Sequence, residues 1–302
     1  MIYLYVALGI LAFLIVLYFV FGYVFVLMFF KRKNKPVKFK NDLSSKIDFS
    51  PDMDWLPQAE AVSFLDGGVS CKGMMIKENG SHRYLISVHG YRGSYASHTK
   101  MVHRMASSLK ANSLMLILRG DKESSYPYCS LGNLESEDLL RWIKHIKETD
   151  KEATFYLYGV SMGAATVIFA ADGYDSSVKG VIADSGFSSI KDEMLYEIRF
   201  KTGFLASFLL LSARLFYRLR FHEKMDEHTD KALTNCKTPF FFIHGEKDTF
   251  VPVMNMKHHL DIRKSKELDS SWLIKDCPHA IGDFVVPDEF FKKADSFFSG
   301  LD

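Results

Sequence analysis

The sequence predicts an α/β protein, a mostly parallel sheet with helices on both faces, preceded by one long apolar helix. From about residue 61 to 300, short apolar runs alternate with amphipathic stretches, the pattern of strands buried on both sides and joined by covering helices. A glycine-flanked serine stands at one strand-to-helix junction, Gly159-Val160-Ser161-Met162-Gly163. Ahead of all this, residues 1–30 contain no Asp, Glu, Lys, Arg or His. The whole chain of 302 residues, 48% hydrophobic and 25% charged with a formal charge of +2, has a globular composition, which excludes disordered, collagen-like and coiled-coil classes.

Residues 1–30 read as a transmembrane anchor. Thirty helical residues extend about 45 Å, more than the ~30 Å hydrocarbon layer. A signal peptide would need a basic start, a shorter apolar run and a small-residue cleavage site, and Phe29-Phe30-Lys31-Arg32 offers none. A core helix apolar on every face is the other competing reading. Tyr3, Tyr5 and Tyr23 are placed near the interfaces. Lys31, Arg32, Lys33 and Lys35, with Lys38 and Lys40 behind them, put the positive flank after the anchor. The positive-inside rule then expects a single-pass cell-membrane protein with its large domain in the cytoplasm. Cys71, Cys129, Cys236 and Cys277 are widely spaced, form no CxxC, and read as free thiols.

Residues 31–60 read as a basic juxtamembrane segment and linker, a tether and lead-in loop with Pro36, Pro51 and Pro57. Residues 61–302 read as one domain. Without residues 1–35 the chain holds 34 basic and 36 acidic side chains, so no basic field remains for a nucleic acid and none is expected as partner.

Within the domain, 61–64 and 71–77 flank Asp66-Gly67-Gly68 as an opening hairpin. Strands are predicted at 84–88, 113–118, 154–158, 178–183, 240–244 and 272–274. Helices are predicted at 95–110, where Met101, Met105 and Leu109 recur by four, and at 135–146, where Leu139, Trp142, Ile143 and Ile146 share a face. Further helices are expected at 162–171, 253–260 and 286–298, with a mixed helical insert, a cap, over about 187–235.

The serine junction fits a nucleophile elbow, a strained turn whose flanking positions admit only small residues, here Gly159 and Gly163. The competing reading is a glycine-rich helix start with a capping Ser. A nucleophilic serine needs a base, and the base an orienting acid. Asp248 follows the strand 240–244 and His279 follows 272–274, in the order Ser, acid, His. Asp184, also at a strand end, is the rival acid and more plausibly binds loop amides. His244 reads as structural, and His222, His228, His258 and His259 read as surface. For the oxyanion hole, the backbone amides of Met162 and Tyr91 are the candidates, Tyr91 lying in the loop His89-Gly90-Tyr91-Arg92-Gly93.

Taken together, His89-Gly90-x-x-Gly93, Arg119-Gly120, Gly159-x-Ser161-x-Gly163, His244-Gly245-x-x-Asp248-x-x-Val251-Pro252 and His279-Ala280 resemble the α/β-hydrolase superfamily over about residues 60–300. Ser130-x-Gly132-x-x-Glu135-Ser136-x-Asp138-Leu139, followed by Trp142-Ile143, is similar to a branch of membrane-anchored bacterial esterases and serine-aminopeptidase-like hydrolases. The resemblance implies an eight-stranded sheet with its second strand antiparallel, a cap after the sixth strand, and a Ser-His-Asp mechanism with no cofactor and no metal. The chain departs from the family after the strand at 113–118, where Arg119-Gly120-Asp121-Lys122 lacks a second glycine. The resulting expectation is a serine hydrolase acting on a small ester or a lipid-like substrate. A serine peptidase and a catalytically silent, membrane-tethered binding protein are the alternatives. The apolar run 203–213, followed by Arg214, Arg218 and Arg220, reads as a lid helix, or as one that touches the bilayer or lines an acyl pocket.

Overall fold

The computed structural model describes residues 1–32, 47–226, 229–263 and 267–301. Internal contacts divide the chain into two units, residues 1–31 with 189–227, and residues 32–188 with 228–302.

The larger unit holds an eight-stranded sheet. Its strands are β1 (Glu60–Asp66), β2 (Val69–Ile76), β3 (Arg83–Val88), β4 (Asn112–Ile117), β5 (Thr154–Val160), β6 (Val178–Asp184), β7 (Phe240–Gly245) and β8 (Ser270–Ile274). They lie in the order β1-β2-β4-β3-β5-β6-β7-β8. β2 runs antiparallel to both neighbours and all other pairs are parallel. The central strands are apolar on both sides. Tyr156 and Tyr158 join the core shared with α2 (Thr99–Leu109) and α10 (Pro287–Ser299), and the alternation of side chains turns Phe155 and Leu157 to the other face. That face is covered by α3 (Asn133–Thr149), α4 (Met162–Phe169), α7 (Thr229–Asn235) and α8 (Met254–Arg263), which pack in that sequence. With α9 (Gly282–Val285) and a helical insertion after β6, this is the α/β-hydrolase topology. The strand and helix expectations hold within a few residues. The departures lie at helix ends, where α2 begins at 99 rather than 95 and α3 continues to 149 rather than 146.

One expectation needs correction. His259 is buried, its ring stacked on Phe242, because α8 turns Met256, His259 and Arg263 inward at spacings of three and four. The second half of the presumed linker is docked. The backbone N–H of Asp52 donates to Thr99 Oγ1 at 2.8 Å, and Trp55 stacks on His103 at 4.8 Å. Arg32, in the basic juxtamembrane run, donates to the carbonyls of Ser124 and Tyr126 at 2.7 and 3.2 Å. Lys33, Lys35, Pro36, Lys38, Lys40 and His228 lie outside the described residues. All four cysteines are buried and free.

The smaller unit contains α1 (Ile2–Phe30), α5 (Ile190–Thr202) and α6 (Ala206–Phe221). α1 has no capping side chain and no charge along its length. Packing against α6 buries one face of its C-terminal half. Gly22 sits so close to Ser212 that a Cβ would lie 2.6 Å from the Ser212 backbone, and Phe30 meets Tyr217 and Phe221 at 5.1 and 5.7 Å. Most of α1 is otherwise exposed.

Candidate active site

Ser161 stands between β5 and α4 at φ 56°, ψ −115°, in the positive-φ region that non-glycine residues seldom occupy. The turn is possible because its neighbours are glycines. A Cβ on Gly163 would fall 1.9 Å from the Val88 carbonyl oxygen, and one on Gly159 would fall 2.3 Å from that of Gly163. Backbone thus meets backbone on both sides of the serine, and its side chain is left at the C-terminal edge of the sheet.

The loops after β7 and β8 bring two further residues to the same edge. His279 Nδ1 donates to Asp248 Oδ2 at 2.6 Å, and Ser161 Oγ lies 2.8 Å from His279 Nε2. With Nδ1 committed to the carboxylate, the neutral ring presents Nε2 as an acceptor to the serine hydroxyl. All three side chains are buried, and Phe250 packs on the imidazole at 5.0 Å. Residues 118 positions apart in the chain are therefore joined by one hydrogen-bond relay.

Asp248 is the most heavily held of the three. Its Oδ1 accepts from the amides of Phe250 and Val251, both at 2.9 Å. Burial alone would raise its pKa, but the hydrogen bonds and charges of His244 and His279 outweigh this and hold it near 2. His244, buried at the end of β7, donates Nε2–H to the Val251 carbonyl at 2.9 Å and lies 3.2 Å from Asp248 Oδ2. It braces the acid's loop, as a structural residue would. Asp184, the rival acid, is bonded to its chain neighbour. Its Oδ1 accepts from Ser185 Oγ at 2.8 Å, while burial and the nearby Asp283 raise its pKa to about 6.

The loop 89–93 lies beside the serine, since a Cβ on Gly90 would be 3.3 Å from Ser161 Cβ. Its shape is set by His89, whose Nδ1–H donates to the Gly90 carbonyl at 2.8 Å and whose Nε2–H donates to Asp121 Oδ2 at 2.7 Å. Two acceptors call for two donors, so the ring is cationic. Burial works against that charge, and the Asp121 carboxylate overcomes it to raise the pKa. Gly93 is close enough that a Cβ would lie 3.0 Å from the Gly90 oxygen. Tyr91 is stacked under Arg92 at 4.7 Å, and Met162 opens α4 directly after the serine.

Sequence reasoning missed Asp121, Phe250 and the pair His98–Asp283. Asp121 could have been noticed as an acid in the loop where the family's second glycine is missing. His98 Nδ1 lies 2.7 Å from Asp283 Oδ2, 185 positions away, with no local signal.

The family model of the alpha/beta hydrolase fold matches residues 84–226. Among solved structures, an esterase from Pyrococcus furiosus is similar with a TM-score of 0.67 and 20% identity, covering 90% of this chain and 98% of that one. Est1E from Butyrivibrio proteoclasticus, with ferulic acid bound, gives 0.59 and 15%, covering 80% and 99%. A membrane phospholipase A described as a bacterial virulence factor gives 0.56 and 15%, covering 82% and 87%. At these identities the likeness carries the fold, and the chain has the α/β-hydrolase fold.

Proposed function

We propose that this protein is a membrane-anchored serine hydrolase that cleaves carboxylic esters. The observation that carries the reading is the relay Asp248–His279–Ser161, with heavy-atom separations of 2.6 and 2.8 Å, ending on a serine at a strained strand-to-helix turn. Ser161 Oγ attacks the ester carbonyl as His279 Nε2 takes its proton, and Asp248 stabilises the imidazolium. The backbone amides of Met162 and Tyr91 receive the oxyanion; losing one such donor typically costs about 3–4 kcal/mol of transition-state stabilisation. His279 then protonates the departing alcohol. In the second half His279 removes a proton from water, which attacks the acyl-serine and releases the acid. The likeness to esterases in fold supports ester over amide cleavage, and the apolar α1 supports a substrate found at a membrane. α1 spans the bilayer in this reading, and the basic residues that begin at Lys31 place the hydrolase domain in the cytoplasm.

The test is covalent labelling by a fluorophosphonate probe, expected for the wild type and absent in Ser161→Ala. Turnover is then read over a chain-length series of p-nitrophenyl esters beside aminoacyl amides. Faster turnover of the amides would replace the esterase reading by a peptidase one, and no labelling of folded wild type would overturn both.

A further inference from the structure

α6 has an apolar surface beyond the one that meets α1. Phe204 and Leu205 precede it, Phe208 stands at the seam with α1, and Leu211, Leu215 and Leu219 follow at spacings of three and four, so they share a face. Phe204 is 91% exposed, Phe208 58%, Leu211 54% and Leu219 61%. Single exposed leucines are ordinary, but a contiguous stripe of this kind marks an interaction surface.

The packing of the two helices gives that stripe a depth. Tyr18 contacts Phe208 at 4.5 Å, Gly22 faces Ser212, Tyr23 contacts Phe216 at 5.8 Å, and Phe30 meets Tyr217 and Phe221. The helices therefore run parallel, with α6 beside the last dozen or so residues of α1. The part of α1 with no α6 beside it, residues 2–17, extends only about 24 Å, short of the ~30 Å hydrocarbon layer. α1 has 29 residues, so every stretch of about 20 of them able to cross includes residues 11–21, and with them the level of Tyr18 and Phe208.

We propose that α6 is seated in the same bilayer as α1, the N-terminal part of its apolar stripe, Phe204 to Leu211, lying among the acyl chains of the near leaflet and Leu215 and Leu219 rising into the headgroups. This deepens the membrane reading of α1 and rests on it. The charge pattern agrees. Residues 198–222 contain Arg199, Lys201, Arg214, Arg218 and Arg220 and no Asp or Glu. Arg214 is paired with Asp226. For a crossing that ends near residue 21, Arg218 and Arg220 stand beyond the hydrocarbon, since Ser212 is level with Gly22, and reach the level of lipid phosphates. The occupant of the stripe is lipid, and the arginines favour an anionic surface.

The full chain, reconstituted in vesicles of phosphatidylcholine and phosphatidylglycerol, tests this through an environment-sensitive fluorophore on single introduced cysteines. The native cysteines are buried, so labelled wild type sets the background. Leu14→Cys reports α1, Leu211→Cys and Leu219→Cys report the stripe, and Leu65→Cys on β1 is the aqueous control. Lipids brominated along the acyl chain are expected to dim positions 14 and 211, position 14 from deeper bromines than position 211. Position 219 is expected to respond best to bromines near the headgroup, and position 65 only to aqueous iodide. Iodide reaching 211 while bromolipid dims 14 would overturn the proposal and leave the anchor standing. Iodide reaching both would overturn the anchor reading as well. Self-quenching at 211 without lipid quenching would assign the stripe to a second copy and equally overturn the proposal. Phe208→Cys repeats the measurement should Leu211→Cys fail to fold.

Discussion

Asp248 and Asp184 end neighbouring strands, yet their surroundings push them in opposite directions. Asp248 titrates near 2 in place of its usual 3.8. A depressed carboxylate adds stability that is present above pH ~4 and lost as pH falls through ~2, here on the order of 2 kcal/mol. Asp248→Asn should therefore lose the acid-side stability drop between those values in denaturant titrations. It should also lower kcat by about 10⁴, because an amide favours the wrong imidazole tautomer. Asp184 is raised to about 6, so its ionisation above that pH works against the fold. Asp184→Asn should be more stable than wild type at pH 8, by up to about 3 kcal/mol, with the two converging near pH 4. Its ester turnover should survive, which separates its role from that of Asp248. Both acids were legible as strand-end residues, and chain order favoured Asp248. The pairing of His89 with Asp121 was not legible, because nothing local ties positions 89 and 121 together before β3 and β4 lie side by side.

Helices and strands were legible where hydrophobic period decides them. β5 and β7 carry the buried apolar runs 155–158 and 240–243, and α3 shows its Leu139, Trp142, Ile143 and Ile146 face directly. α8 failed this test in part because two of its inward residues are His259 and Arg263, which a hydrophobic period counts as surface. Arg263 is buried and forms a two-point pair with Asp269 at 2.6 and 2.7 Å. It also donates to the carbonyls of Leu233, Cys236 and Thr238, so it joins α8 to the end of α7 and to the approach to β7. Asp269 meanwhile accepts from the Phe240 amide at the start of β7. Arg263→Met keeps the apolar stem of the side chain and removes every donor, leaving the buried Asp269 carboxylate without its cation. A loss of about 3–5 kcal/mol is expected, read as a lower denaturant midpoint without change in the triad's chemistry.

At the scale of the molecule, the sequence announced an apolar helix and a hydrolase domain, but not that the helix and the cap belong to one unit. That grouping depends on Gly22 meeting Ser212, a contact between small residues 190 positions apart, and small residues carry no periodic signal. The elbow, by contrast, was legible because its glycines are adjacent in sequence. Its geometry sets reactivity against folding. The whole domain holds Ser161 in a backbone shape that glycine adopts without penalty, so Ser161→Gly should melt at a higher temperature than wild type while losing all turnover. A random search for thermal robustness would then tend to erase the hydroxyl at 161, and only selection for hydrolysis would keep it.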